Sequence, residues 1–491
     1  MPCMIKFPQR FVHTQCGLLP SSQQIDGPIH DLPSISDLIA ALQSCKKQKD
    51  LSLAKKLYAH IRGFGLGKND SIDIHLISMF LECGSCLDAQ QIILQLPQYD
   101  EKIWTSLICG YVEHGKLHNA FDMYERMGKA CVSPTCYTLM PFVKAYANTR
   151  DVERGQYMHI QIVKYGFETD IFTGSGLVDM YAKCGLLHEA RHVFNNMPLV
   201  TIVSWTALIA GYAEHGPCEE AFQCYDQMKQ QGVSLDASTL VCILKACASV
   251  RSLYKGREAH VDSVLRGLDS NNFLGNSLID MYAKCGSLTD AQVTSNNLPS
   301  RDIVSWTALI SGYAEHGPGV EALHCFEKMK LEGIYPDAVT FASALKACGS
   351  IGALESGQEI HREIPPRYLE KYFFLGNAVV DMYLKCDSFV KAKEVFDKLQ
   401  QRDLAPWHAL IAGYAERGNS KQVMECVKCM QLEGVFLDSG AYVSMLKACA
   451  STESMQKNQE LHAEIMKKGF ERDTSVGNTL VDMYSKQGAV K

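Results

Sequence analysis

Long hydrophobic runs are missing from this 491-residue chain. No apolar stretch approaches the ~18 residues of a membrane-spanning helix, so no membrane role is expected. An excess of positive charge is missing too: 48 Lys and Arg against 54 Asp and Glu leave a net charge of −6. That balance excludes a uniformly basic nucleic-acid coat and leaves room for local basic strips. There is no P-loop, dinucleotide-binding fingerprint or nucleophile elbow, the signatures that would carry nucleotide or acyl-transfer chemistry. Tryptophan is scarce, with four in the chain.

With 47% apolar and 21% charged residues, the chain can bury a large core and is not disordered by composition. Length alone suggests about three globular domains. The tryptophans contradict that. Trp104, Trp205, Trp306 and Trp407 are each 101 residues apart. Residues 203–216 and 304–317 agree in thirteen of fourteen letters at the same distance. Cys184, Cys285 and Cys386 keep this step, as do Cys247, Cys348 and Cys449. So strict a period means tandem units.

Each unit reads as three helix pairs. Trp306, Leu309, Ile310 and Tyr313 fall on one helical face, and Gly317-Pro318 breaks the pattern. A second helix carries Ala322, Leu323, Phe326 and Met329, stopped by Gly333 and Pro336. Aligning the recurring phrases divides the unit into segments of 35, 35 and 31 residues. A lone pair cannot bury its apolar face, so the expectation is an all-α solenoid of stacked pairs. The repeated Trp, Tyr and Met positions then read as core. The repeated cysteines read as small hydrophobes in a reducing compartment rather than a disulfide framework.

The phrases VSWTALISGYAEHG, VTFASALKACGS and FLGNSLIDMYAKCG closely resemble the three motif openings of plant pentatricopeptide repeat proteins of the P-L-S subfamily. The resemblance covers about residues 35–491 and implies a right-handed α-solenoid. It divides the chain into an extension 1–34, L and S repeats 35–100, P-L-S triplets 101–201, 202–302 and 303–403, P and L repeats 404–473, and a shortened S repeat 474–491.

Several motifs superficially suggest chemistry. Cys83 with Cys86 and Cys426 with Cys429 form CxxC pairs, but they lie in distant repeats. His361-Arg362-Glu363 and His462-Ala463-Glu464 match the H-x-E of zinc deaminases, yet no P-C-x-x-C follows to complete the ligand set. His159, His260, His361 and His462 moreover recur at the 101-residue step, which makes them structural letters. No catalytic residue, metal or cofactor is expected.

What remains is recognition. The resemblance implies a reader of single-stranded RNA, one base per repeat, through the fifth and last residues of each motif. These are Thr206 with Asp236 and Thr307 with Asp337 in P motifs, and Asn276 with Asp302 and Asn377 with Asp403 in S motifs. An ionised carboxylate only accepts hydrogen bonds, so it suits guanine N1–H and uracil N3–H. In the family code, Thr with Asp resembles a guanine reader and Asn with Asp a uracil reader. Val203, Phe273, Val304 and Phe374 would flank the bases. The alternative is that each Asp merely caps the next helix. Val241 and Ala342 leave the L motifs without a side-chain hydrogen-bonding group, and Ile74, Pro406 and His408 depart from the pattern.

The resemblance extends to site-recognition factors for C-to-U editing of organelle RNA. Without a deaminase signature in this sequence, the chemistry would come from a deaminase-bearing partner in trans. The alternatives are RNA stabilisation, splicing or translation by the same binding, or, in another class, a tetratricopeptide-like protein-binding scaffold. The first 25 residues hold no acid, with Lys6 and Arg10 and several Ser and Gln, resembling a transit peptide. Mitochondrial import is the expectation, chloroplast the alternative. In the last repeat, Val476, Leu480, Val481 and Tyr484 are placed on one apolar face, which lacks a following helix and is expected to be the least protected part of the array.

Overall fold

The computed structural model describes residues 35–63, 70–93, 101–399, 404–450 and 455–486. Among them every regular element is helical: 28 α-helices and one short 3-10 helix. The chain divides into two compact units, residues 1–145 with 160–165, and residues 146–159 with 166–491. The extension read as a transit peptide lies outside the described residues.

The second unit shows the construction most clearly. Helices Ile202–His215, Ala237–Val250, Asn272–Lys284, Ile303–His316 and Ala338–Ile351 pack successively side by side as one layer. Helices Cys218–Gln230, Leu253–Leu265, Leu288–Asn297 and Gly319–Leu331 each return against that layer as a second one. Phe373–Lys385, Leu404–Glu416, Ser439–Ala450 and Thr474–Lys486 continue the first layer. In the first unit, Ile35–Gln48, Asp70–Glu82 and Glu101–Glu113 pack in the same way.

The residues dictate this locally. Asp236, Asp302 and Asp337 precede their helices in extended conformation and accept the N–H of the third helical residue, the N-cap arrangement. Asp302 and Ser305 form a reciprocal capping box. Adjacent first helices approach closely at glycine. A Cβ on Gly312 would lie 2.5 Å from that of Ala283, and one on Gly211 2.6 Å from that of Ala182.

The core follows the period. Trp205, Trp306 and Trp407 are fully buried, and Trp104 nearly so. Phe194 meets Trp205 edge-on with ring centroids 4.5 Å apart, and Phe396 meets Trp407 at 4.6 Å. The 18 described cysteines are free thiols. Burial pushes up the thiols of Cys247 and Cys348 to about 12, so they behave as apolar packing groups.

Two departures from the sequence reading have clear causes. The L repeat beginning at Ala338 has a shortened second helix, Leu354–Glu363, followed by a six-residue helix, Pro366–Lys371. Pro365-Pro366 removes two backbone donors and fixes φ, so the helix cannot run through. In helix Thr474–Lys486 the buried residues are Val476, Leu480 and Met483, whereas Val481 is 66% exposed. Val481 follows Leu480 by one residue, about 100° around the helix, and so faces away.

Candidate nucleic-acid interface

The fifth and last residues of successive segments meet at the N-terminal turns of the first-layer helices. Thr206 Oγ1 lies 2.6 Å from Thr239 Oγ1, and Thr239 donates both its N–H and its hydroxyl to Asp236 Oδ1, each at 2.8 Å. The next triplet repeats this geometry. Thr307 and Thr340 are 2.6 Å apart, and Asp337 Oδ1 accepts both bonds from Thr340 at 2.8 Å. Thr206, Thr307, Asp236 and Asp337 are half-buried, and Thr239 and Thr340 fully buried.

The Asn–Asp pair is direct. Asn276 Nδ2 donates to Asp302 Oδ1 at 3.1 Å and to Oδ2 at 3.0 Å, while Ser305 N–H donates to Oδ1 at 2.9 Å. Burial raises the Asp302 carboxyl, but the bonds from Ser305 N–H and Asn276 outweigh it and hold the group below its ordinary value. It is therefore an ionised acceptor at neutral pH. Asn276 Oδ1 is buried without a partner. Asn377 is half-buried on the corresponding helix Phe373–Lys385, and its expected companion Asp403 lies outside the described residues.

Val203, Phe273, Val304 and Phe374 sit three residues before their polar partners, one turn away on the same face. They are 60%, 63%, 55% and 44% exposed. Each polar pair thus has an accessible apolar neighbour. Lys245, Lys346 and Lys447 are exposed on the same helix layer, a basic series within an acidic chain.

The capping role weighed for the aspartates is real: Asp236, Asp302 and Asp337 each cap a helix with Oδ1. It does not exhaust the carboxylate. Among the described residues, Asp236 and Asp337 take their hydrogen bonds through Oδ1 alone. Other repeats differ. At His408, Nε2 lies 2.6 Å from Asp438 Oδ1, close enough for an ion pair although the ring N–H is not aimed along it. Pro406 is buried in the first turn of its helix, where a missing N–H is tolerated. Val241 is buried and Ala342 half-buried. The side chain of Ile74 lies outside the described ones. In the first P segment, Thr105 and Thr135 both donate to Glu101 Oε1, at 2.9 and 2.8 Å, so the carboxylate comes from the helix start instead.

The motifs that suggested chemistry are occupied structurally. His361 Nδ1 lies 3.0 Å from the Tyr383 hydroxyl, and Glu363 binds Lys330 at 2.7 Å. His462 meets Tyr484 at 3.1 Å, and Glu464 accepts from Tyr442 at 3.4 Å. Cys86 Sγ points to Gly110 O at 3.7 Å. Cys426 is buried and Cys429 exposed. Among the described residues, no three His, Cys, Asp or Glu side chains gather as a metal-holding group.

Sequence reasoning passed over Thr239 and Thr340. The signal was available: Thr138, Thr239 and Thr340 recur at the 101-residue step.

The model described as the PPR repeat family matches residues 200–249 and 301–350, and the PPR repeat model matches 102–132, 175–199, 377–404 and 405–435. A mitochondrial pentatricopeptide repeat-containing protein of Arabidopsis thaliana is 32% identical over 98% of this chain and 70% of its own length. A chloroplastic one from the same plant is 32% identical over 84% of this chain and 67% of its own length. Another mitochondrial relative is 31% identical over 90% of this chain, which spans only 43% of that protein's length. The crystal structure of the pentatricopeptide repeat protein PPR10 from maize superposes with a TM-score of 0.64, covering 93% of this chain and 72% of that one at 17% identity. The fold is that of the all-α helical-repeat solenoids, and the chain belongs to the pentatricopeptide repeat family.

Proposed function

We propose that this protein binds single-stranded RNA sequence-specifically, about one base per repeat, as a P-L-S member of its family. Its task is to select the site of C-to-U editing on an organelle transcript, with catalysis supplied by a deaminase-bearing partner. The observation that carries the reading is the recurrent convergence of fifth and last residues beside an exposed apolar side chain. Thr206 with Asp236 and Thr307 with Asp337 are the guanine readers, and Asn276 with Asp302 and Asn377 with Asp403 the uracil readers. Val203, Phe273, Val304 and Phe374 flank the bases by apolar contact. The L repeats act as spacers, so residues 202–403 prefer G-N-U-G-N-U. Several relatives carry mitochondrial or chloroplastic in their names, which supports an organelle as the place of action.

The test is a binding selection on randomised RNA with the wild type and Thr307→Asn. The variant keeps Asp337 and should move preference at the second guanine toward uracil. A matched contact of this kind discriminates by ~1–3 kcal/mol. The same preference in both proteins would remove this pair from base reading.

A further inference from the structure

We infer that Thr239 and Thr340 are positioning residues that set the hydrogen-bonding polarity of the two guanine-reading pairs; this rests on the RNA-reading function above. The argument is one of proton placement. An ionised carboxylate can only accept, so the 2.8 Å contact between Thr239 Oγ1 and Asp236 Oδ1 commits the single hydroxyl proton of Thr239 to Asp236. In the 2.6 Å contact with Thr206, Thr239 must then be the acceptor. The hydroxyl proton of Thr206 is therefore directed inward, and Thr206 can offer only lone pairs to a ligand. Asp236 Oδ2 is a second acceptor, because the cap uses Oδ1 alone.

Two neighbouring acceptors call for two neighbouring donors. Among the four bases only guanine presents them on its Watson–Crick edge, as N1–H and the N2 amino group. Adenine and cytosine each offer one amino donor beside a ring nitrogen lone pair, and uracil one N3–H between two carbonyls. A Thr free to rotate its proton could donate to adenine N1; one held by Thr239 cannot. The same chain of bonds runs from Thr307 through Thr340 to Asp337. Both middle threonines are fully buried and cannot touch RNA, so their effect is transmitted through the reading pair. The Asn276–Asp302 pair has no such intermediary: Asn276 Nδ2 donates directly to both carboxylate oxygens.

The experiment is selection on randomised RNA with full-length wild type, Thr239→Val, Thr239→Ser and Thr340→Val. Valine keeps the shape and the backbone N–H cap but removes the hydroxyl; serine restores it. Thr239→Val should lower the guanine-over-adenine ratio at its own position roughly tenfold. The guanine position of Thr307 should stay unchanged within the same RNA, as an internal control for folding. Thr239→Ser keeps the hydroxyl and should retain guanine, and Thr340→Val should shift the loss to the other position. Unchanged guanine preference in both valine variants would overturn the inference and leave the RNA-reading function standing. Loss at both positions in each valine variant would mark a packing role and also overturn it. A wild type without guanine preference at either position would overturn the function and the inference together.

Discussion

His260 Nδ1 lies 2.8 Å from the hydroxyl of Tyr282, with the two rings edge-on and their centroids 5.7 Å apart. The pair joins helix Leu253–Leu265 to helix Asn272–Lys284 and recurs as His159–Tyr181, His361–Tyr383 and His462–Tyr484. Burial is the main cause that lowers the imidazoles of His159, His260 and His361 below their ordinary value; His192 adds to it at His159, and Lys398 and Lys391 at His361. The folded state thus favours the neutral ring. Its contribution to stability is complete above the unfolded value of ~6.5 and is lost as pH falls from there through the lower folded one. Thermal melts at about pH 7.5 and about pH 5.5, which bracket the onset of this loss, should show a lower midpoint in acid. His260→Gln should weaken the dependence. Tyr282→Phe should cost about 1 kcal/mol at neutral pH. A pH-independent midpoint would rule out this linkage.

Ser295 occupies the position held by Phe194 one unit earlier and by Phe396 one unit later. Its hydroxyl is buried without a partner. Trp306, instead of a phenylalanine edge, has the Arg301 guanidinium 5.0 Å from its ring and donates Nε1–H to Glu332 at 3.1 Å. Ser295→Phe should remove an orphaned hydroxyl and restore the ring pair, stabilising the array by ~1–3 kcal/mol. Urea unfolding checks this, and a lowered midpoint would mean that the Arg301–Trp306 arrangement fills the space.

Asp337→Asn separates capping from reading. The asparagine carbonyl can still accept the Thr340 N–H, so helix Ala338–Ile351 keeps its cap. The amide NH2 then replaces Oδ2 and offers a donor, which suits adenine N1 and opposes guanine N1–H. Binding selections should show a change from guanine to adenine at that position with little change in melting temperature. Retained guanine would mean that Oδ2 does not face the base.

Arg251 ends helix Ala237–Val250 in the left-handed region at φ 54°, where its counterpart one unit later is Gly352 at φ 67°. A Cβ is disfavoured in that conformation and glycine tolerates it. Arg251→Gly should stabilise by on the order of 0.5–1 kcal/mol after glycine's larger unfolded-state entropy is counted. An unchanged or lower urea midpoint would refute the assigned strain.

The sequence by itself determined the helical class and its repetition, because a 101-residue period in Trp and Cys and the 3.6-residue spacing of apolar groups are properties of letter order. Asp236, Asp302 and Asp337 were legible as helix caps for the same reason, since a cap involves residues three apart. The break at Pro365-Pro366 was written there too, though the short helix beyond it depends on how the freed chain repacks. Tertiary structure alone decided which hydroxyl donates to which. Thr206 and Thr239 lie 33 residues apart and meet only when two helix pairs stack. Helical periodicity gives a face, but only the neighbouring pair determines whether that face is covered.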